Sequence, residues 1–317
     1  RAGRGRQGRH CGYRPGSRRR LGCHMTWWAV IDPGVAKTGP VQARAANALR
    51  ERGIEAEIHA AASAAEAEGI VDNGIRAGHR RFLVVGGDGT VNLAVNSLLG
   101  HRWERPPMLG ILPAGPGCDF IRTFGISQRL EEAADRLLGD KEYRVDVGVL
   151  EGSWGHRHFV NVADAGITAA TARLAERLPG TVGRARRRIA FWLILPGFRP
   201  AELQLRVGHR QYQGRATAVV VANAQFFADG MNVAPKATLV DGVLDIQVFT
   251  GAKPQALTLL PKVRHGLHLR HPAVNRFRGD EFSLESDRPW PVEADGSYLG
   301  DTPFRGRVLP AALNVKI

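Results

Sequence analysis

The segment Phe82-Leu-Val-Val-Gly-Gly-Asp-Gly-Thr-Val-Asn-Leu constrains this chain more than any other. A bulky apolar run stops at Gly86-Gly87-Asp88-Gly89-Thr90, and Val91, Ala94, Val95 and Leu98 then recur at helical spacing. A strand that turns directly into a helix is a unit of a parallel α/β sheet, whose ligands bind beyond the carboxyl ends of the strands. Glycines let backbone N–H groups approach phosphate oxygens, and the helix N-terminus adds partial positive charge. Asp88 is placed to hold a divalent cation or orient a phosphate-bearing ligand. Thr90 can cap the helix while offering a hydroxyl.

The alternation extends to both sides. Trp27–Ile31 reads as a strand ending in the turn Asp32-Pro33-Gly34, followed by a helix through Val41, Ala45, Ala48 and Leu49 that Gly53 ends. A weak strand over 54–58, a helix over 60–77, a strand over 109–112 and a helix to about Leu138 follow. After about Val145 the rhythm changes. Segments 144–150, 158–163, 202–207, 216–222, 243–249 and 281–284 read as strands, with one helical insert from Ala169 to about Leu195. The expected fold is an α/β N-terminal domain over 25–145 with a parallel sheet, then a mainly antiparallel β-sandwich domain over 146–304.

Charge and length narrow the class. The 317 residues carry a formal charge of +14, with eight arginines and no acid in residues 1–24. That Gly/Arg-rich stretch has no hydrophobic periodicity and is expected to be a disordered basic tail, or upstream sequence foreign to the protein. A nucleic-acid role is therefore not favoured. The longest clean apolar run, Ile189 to Leu195, falls far short of the roughly 20 residues a membrane span needs. Three cysteines (Cys11, Cys23, Cys118) make no disulfide framework, so a cytoplasmic setting is expected.

Gly86–Thr90 resembles the GGDGT signature shared by diacylglycerol, sphingosine, ceramide and NAD kinases and by phosphofructokinases. The next loop, Leu109-Gly-Ile-Leu-Pro-Ala-Gly-Pro-Gly-Cys-Asp-Phe-Ile-Arg, is similar to the bacterial diacylglycerol kinase pattern rather than to NAD kinases. Arg144-Val-Asp-Val-Gly, Ala234–Asp245 and Pro291-Val-Glu-Ala-Asp-Gly match in the same order, so the resemblance covers about Trp27 to Ile317. It implies a phosphofructokinase/NAD-kinase-like first domain, completed by residues 305–317, and a cleft between two domains. The implied reaction is transfer of the ATP γ-phosphoryl group to a lipid hydroxyl, with diacylglycerol the first candidate, assisted by Mg²⁺. Asp32, Pro33, Gly34, Gly86, Gly87, Asp88, Gly89, Thr90, Asn92, Gly115, Pro116, Gly117 and Asp119 would bind the nucleotide. The catalytic positions would be Asp295, Ser297 and Asp146. Thr238, Asp241 and Val243 match a loop that carries a structural Mg²⁺ in bacterial members, although an Asp-Gly turn needs no metal.

Four departures fall on motif positions. Asp32 replaces the usual asparagine of the first loop, and an acid beside a nucleotide repels phosphate unless it faces Mg²⁺. The threonine expected after the second strand is missing, with Ser63 nearby. Pro116 removes a hydroxyl and a backbone N–H, and Cys118 replaces an amide with a weak donor. Ser297 stands where the resemblance expects a glutamate as proton acceptor, leaving Asp295 as the candidate base. A catalytically impaired lipid- or nucleotide-binding relative is therefore the alternative. The run Arg184–Leu195, basic and then aromatic-aliphatic, suits either an anionic membrane surface, implying a peripherally attached protein, or a core helix with a solvated end. A homodimer is left open.

Overall fold

The structure, a computed structural model, describes residues 26–37, 39–114, 118–179, 185–251 and 253–317. The basic tail and the loop residues Gly115, Pro116 and Gly117 lie outside the described residues.

In the first half β1 (Trp27–Ile31), β2 (Ala56–Ala60), β3 (Arg81–Gly86) and β4 (Met108–Pro113) pair in parallel in the order β2-β1-β3-β4. The helices between and after them are α1 (Pro33–Ala36), α2 (Pro40–Glu51), α3 (Ala64–Arg76), α4 (Asp88–Leu99), α5 (Asp119–Thr123) and α6 (Leu130–Arg136). Phe82 to Val85 are buried on both faces of the sheet, which is why they read as an unbroken apolar run. β2 begins two residues later than expected, because Ile54 still donates to the Leu49 carbonyl at 2.9 Å in the turn closing α2. The following helix starts at Ala64 rather than Ala60. The Ser63 hydroxyl accepts from the Glu66 N–H at 3.2 Å, so it serves as the helix cap.

The second half is antiparallel. Its elements are β5 (Glu142–Gly152), β6 (Gly155–Phe159), β7 (Val162–Gly166), α7 (Ile167–Arg177), α8 (Arg186–Ile194), β8 (Ala201–Val207), β9 (Arg210–Ala216), β10 (Ala218–Ala222), β11 (Phe226–Phe227) and β12 (Met231–Asn232). They continue through β13 (Leu244–Phe249), α9 (Ala256–Arg264), β14 (Val274–Gly279), β15 (Glu281–Ser286), β16 (Pro291–Ala294), β17 (Ser297–Asp301) and β18 (Phe304–Lys316). The single helical insert expected over 169–195 is thus two helices, α7 and α8, with Pro179 between them.

β18 joins the halves. It runs parallel to β4 at Asn314 and Val315 and antiparallel to β5 and β15. One sheet therefore continues from β2-β1-β3-β4 through β18 to β15-β8-β9, with β5 and β6 attached at β18. Against its antiparallel part lies a second sheet, ordered β14-β13-β10-β7-β16-β17. Leu150, Phe159, Leu205, Val221, Ile246 and Trp290 fill the space between. β8 buries Ala201, Leu203, Leu205 and Val207 and exposes the residues between them, as expected for a strand with one solvated face. β10 and β13 are buried throughout. Phe191 and Ile194 of α8 and Leu259 and Val263 of α9 cover the second sheet's outer face.

Candidate active site

Three carboxylates gather around the N-terminus of α4, and each has a distinct set of partners. Asp88 opens α4 directly after β3. Its side chain accepts from the backbone N–H groups of Asp119 (2.8 Å) and Phe120 (3.0 Å) and from the Asn161 side-chain amide (3.1 Å). It thereby caps α5, whose own cap residue Cys118 makes no side-chain bond. Burial raises the Asp88 carboxyl's proton affinity and the charge of Asp295 adds to it, against the lowering effect of the α5 amides.

Asp119 is buried. One carboxylate oxygen accepts from the Asp229 N–H at 3.0 Å, and the other faces the Arg122 Nε at 3.4 Å. Burial first, and then the charge of Asp88, push its carboxyl up to about 6. Asp229 has a positive φ of 67°, a conformation that asparagine and aspartate tolerate better than most residues.

Asp295 turns the chain between β16 and β17 at φ 45°, followed by Gly296 at φ 88°. Its carboxylate accepts from the N–H groups of Val160 (2.8 Å), Asn161 (2.9 Å) and Val162 (3.1 Å) and from Asn92 Nδ2 (2.8 Å). A carboxylate filled by four N–H donors acts as an anchor between the β16–β17 turn, α4 and residues 160–162. Burial raises its proton affinity while those donors lower it.

Asn92, expected at the nucleotide, ties α4 to this anchor. It also donates to the His158 carbonyl at 2.9 Å and accepts from Arg157 at 2.9 Å. Asn161 bridges Asp88 and Asp295, and sequence reasoning missed it; a lone amide inside the run Phe159-Val-Asn-Val-Ala was its only signal. Its side-chain oxygen is buried without a hydrogen-bond partner.

The first loop meets the glycine turn directly. Asp32 accepts from the N–H groups of Gly34 (2.8 Å) and Val35 (3.2 Å) through one oxygen and from the Thr90 hydroxyl through the other. Pro33 opens the short α1. Gly86 is required here, because a Cβ would stand 2.9 Å from the Asp32 Cβ and 3.0 Å from Thr90 Oγ1. Gly89 has open space, so no contact fixes its identity. Cys118 is buried, and burial pushes its thiol up, which suits a small apolar residue rather than a reactive one.

Asp146 lies elsewhere in the network. It accepts from the N–H groups of Gly242 (2.7 Å) and Ala311 (2.8 Å), pinning the 238–243 loop to β18. These two bonds give Asp146 a structural task. In the same loop Asp241 is paired with Arg278 at 2.5 Å, and Arg278 also faces Asp245 at 3.4 Å. Asp241 further accepts from the Val243 N–H at 3.3 Å. A cation held by Thr238, Asp241 and Val243 would have to compete with the Arg278 guanidinium for this carboxylate. Asp88 and Asp119 fit one better. Asp119 is buried and Asp88 half-buried, both have raised proton affinity, and the Asp88 charge contributes to the rise at Asp119, so added positive charge would relieve them.

Beside the β16–β17 turn sits a second buried cluster that sequence reasoning missed. Glu293 and Asp164 are cross-strand neighbours on β16 and β7, 2% and 0% exposed, and Arg187 of α8 reaches Glu293 at 3.6 Å. Burial drives the Asp164 carboxyl well up, reinforced by the neighbouring Glu293. A Cβ at Gly296 would meet the movable end of the Arg187 side chain at 2.7 Å, so it is the positive φ of 88° that favours glycine there. Ser297 follows, half-buried.

The comparisons with known proteins agree with this architecture. Residues 34–150 match the family model described as the diacylglycerol kinase catalytic domain. Residues 161–317 match the YegS C-terminal NAD kinase beta sandwich-like domain. The chain belongs to a bacterial lipid kinase family. It is 26% identical to the "Probable lipid kinase YegS" of Salmonella arizonae, over 85% of this chain and 88% of that one. It is 25% identical to the "Probable lipid kinase YegS-like" of Klebsiella pneumoniae, over 91% and 95%. A diacylglycerol kinase structure from Bacillus anthracis superposes with a TM-score of 0.69 at 20% identity, covering 92% of this chain and 96% of that one, a likeness of fold.

Proposed function

We propose that this member of the lipid kinase family transfers the γ-phosphoryl group of ATP to a lipid hydroxyl, diacylglycerol being the first substrate to test. The observation that carries this reading is the joining of Asp88, Asn161 and Asp295, from three distant segments, at the N-terminus of α4. Such a transfer demands positioning and charge neutralisation above all. The Gly86–Thr90 turn would receive the phosphates. Beside it, where Pro113 pairs with Gly86, opens a cavity of about 690 Å³ lined among others by Val41, Arg44, Ala114, Leu130, Glu131 and Glu132, with room for the nucleotide's base and sugar. A Mg²⁺ ion accompanying the nucleotide would supply charge neutralisation at Asp119 and Asp88. Arg122, at the edge of the same group, would keep the Asp119 carboxylate oriented.

A membrane surface would deliver the substrate. Among the described residues no helix is long and apolar enough to cross a bilayer. On α8, however, Ile189, Trp192 and Leu193 are exposed beside the exposed Arg188. An apolar patch with a basic neighbour suits attachment to an anionic leaflet.

The second reading is a binding protein with impaired turnover. It is favoured by Ser297, which is no base near neutral pH, together with the full engagement of Asp295. Radiolabelled ATP with lipid alcohols in mixed micelles separates the two. The kinase reading expects lipid phosphorylation by the parent and a gain in kcat on the order of 10²-fold for Ser297→Glu. If both proteins stay at background while still binding ATP, the binding-protein reading takes its place.

A further inference from the structure

The Thr90 hydroxyl has one proton to give, and in this fold it gives it to Asp32. The other Asp32 oxygen is held by the Gly34 and Val35 amides, so the carboxylate is fixed across the mouth of the glycine turn rather than free to swing away. Gly86 packs against both partners, which keeps the contact close. We propose that Asp32 is an affinity-setting residue. It acts as an internal anion that withholds the Thr90 hydroxyl from a nucleotide phosphate and must release it before that phosphate can be bound. The proposal rests on the nucleotide-binding reading above.

The physical consequence follows from donor inventory. With its proton committed to Asp32, Thr90 Oγ1 turns lone pairs toward an arriving phosphate, and the Asp32 charge repels the same group. An asparagine at position 32 keeps one oxygen for the Gly34 and Val35 amides but places an NH₂ against Thr90. Thr90 then accepts from that amide, its proton is free for phosphate, and one negative charge is gone. The substitution is nearly isosteric, so the loop is retained.

Calorimetric titration of ATP, inorganic tripolyphosphate and adenosine into the parent and Asp32→Asn tests this. A hydrogen bond to a charged group is commonly worth about a 10- to 100-fold change in affinity. Asp32→Asn should tighten ATP and tripolyphosphate by that factor and leave adenosine unchanged. Thr90→Val in the Asp32→Asn background should remove the gain. Matching melting curves for parent and Asp32→Asn establish that the loop is intact. Equal ATP affinity in the two proteins overturns the proposal while leaving the nucleotide reading in place. So does an equal gain for adenosine, which would not act through phosphate. Absence of ATP binding by both proteins overturns the nucleotide reading, and the proposal with it.

Discussion

Burial and the charge of Asp88 lift the Asp119 carboxyl to about 6, so its titration is coupled to folding with a definite sign. A carboxyl whose folded value lies above its unfolded one holds its proton more tightly in the fold. Stability is therefore lost as pH rises from about 4 to about 6. The shift corresponds to about 2–3 kcal/mol. Melting curves across pH should show Asp119→Asn gaining on the parent as pH rises from 4 to 7; a constant difference would contradict the assignment. Asp295 is also raised by burial, but both of its oxygens are taken by N–H donors. Asp295→Asn turns an NH₂ group against N–H donors and strands them, costing about 2 kcal/mol or more. A fall in melting temperature is the expected outcome, whereas a mere base would be replaced with little change in stability.

The two faces of α8 have different tasks. Arg187 points inward to the buried Glu293 and Asp164, while Ile189, Trp192 and Leu193 point outward. Arg187 and Arg188 therefore face different surroundings, and replacing both together would mix effects on folding with effects at the surface. Removing the half-buried Arg187 leaves the buried Glu293 without its charge partner, so Arg187→Gln should lower the melting temperature. Trp192→Ala with Leu193→Ala should change stability by less than about 0.5 kcal/mol per site. The double variant should nonetheless lose sedimentation with anionic vesicles. Equal vesicle binding in variant and parent would remove α8 as the attachment site.

For the whole molecule β18 is the decisive strand, because it lies between β4 of the parallel part and β15 of the antiparallel part. Its last turn of chain buries Leu313 and Val315 completely and supplies the Ala311 N–H to Asp146. A chain ending at Pro310 should lose cooperative melting in both halves rather than fray at one end. Limited proteolysis followed by circular dichroism would check this, and an α/β half that survives intact would refute it.

Apolar periodicity, glycine turns and the order of short motifs determined the alternation of β1 to β4 with helices, the change to antiparallel strands and the family. These are local signals, written within a few residues of one another. The tertiary structure alone decided what each carboxylate does. Asp88 meets the α5 amides 31 positions away, and Asp295 meets Asn92 across 203 positions. Asp164, Glu293 and Arg187 likewise form a cluster only once β7, β16 and α8 are packed. Whether an acid is a free base, a helix cap or an anchor depends on which N–H groups face it. That pairing is made by long-range packing and leaves no trace in the residues on either side.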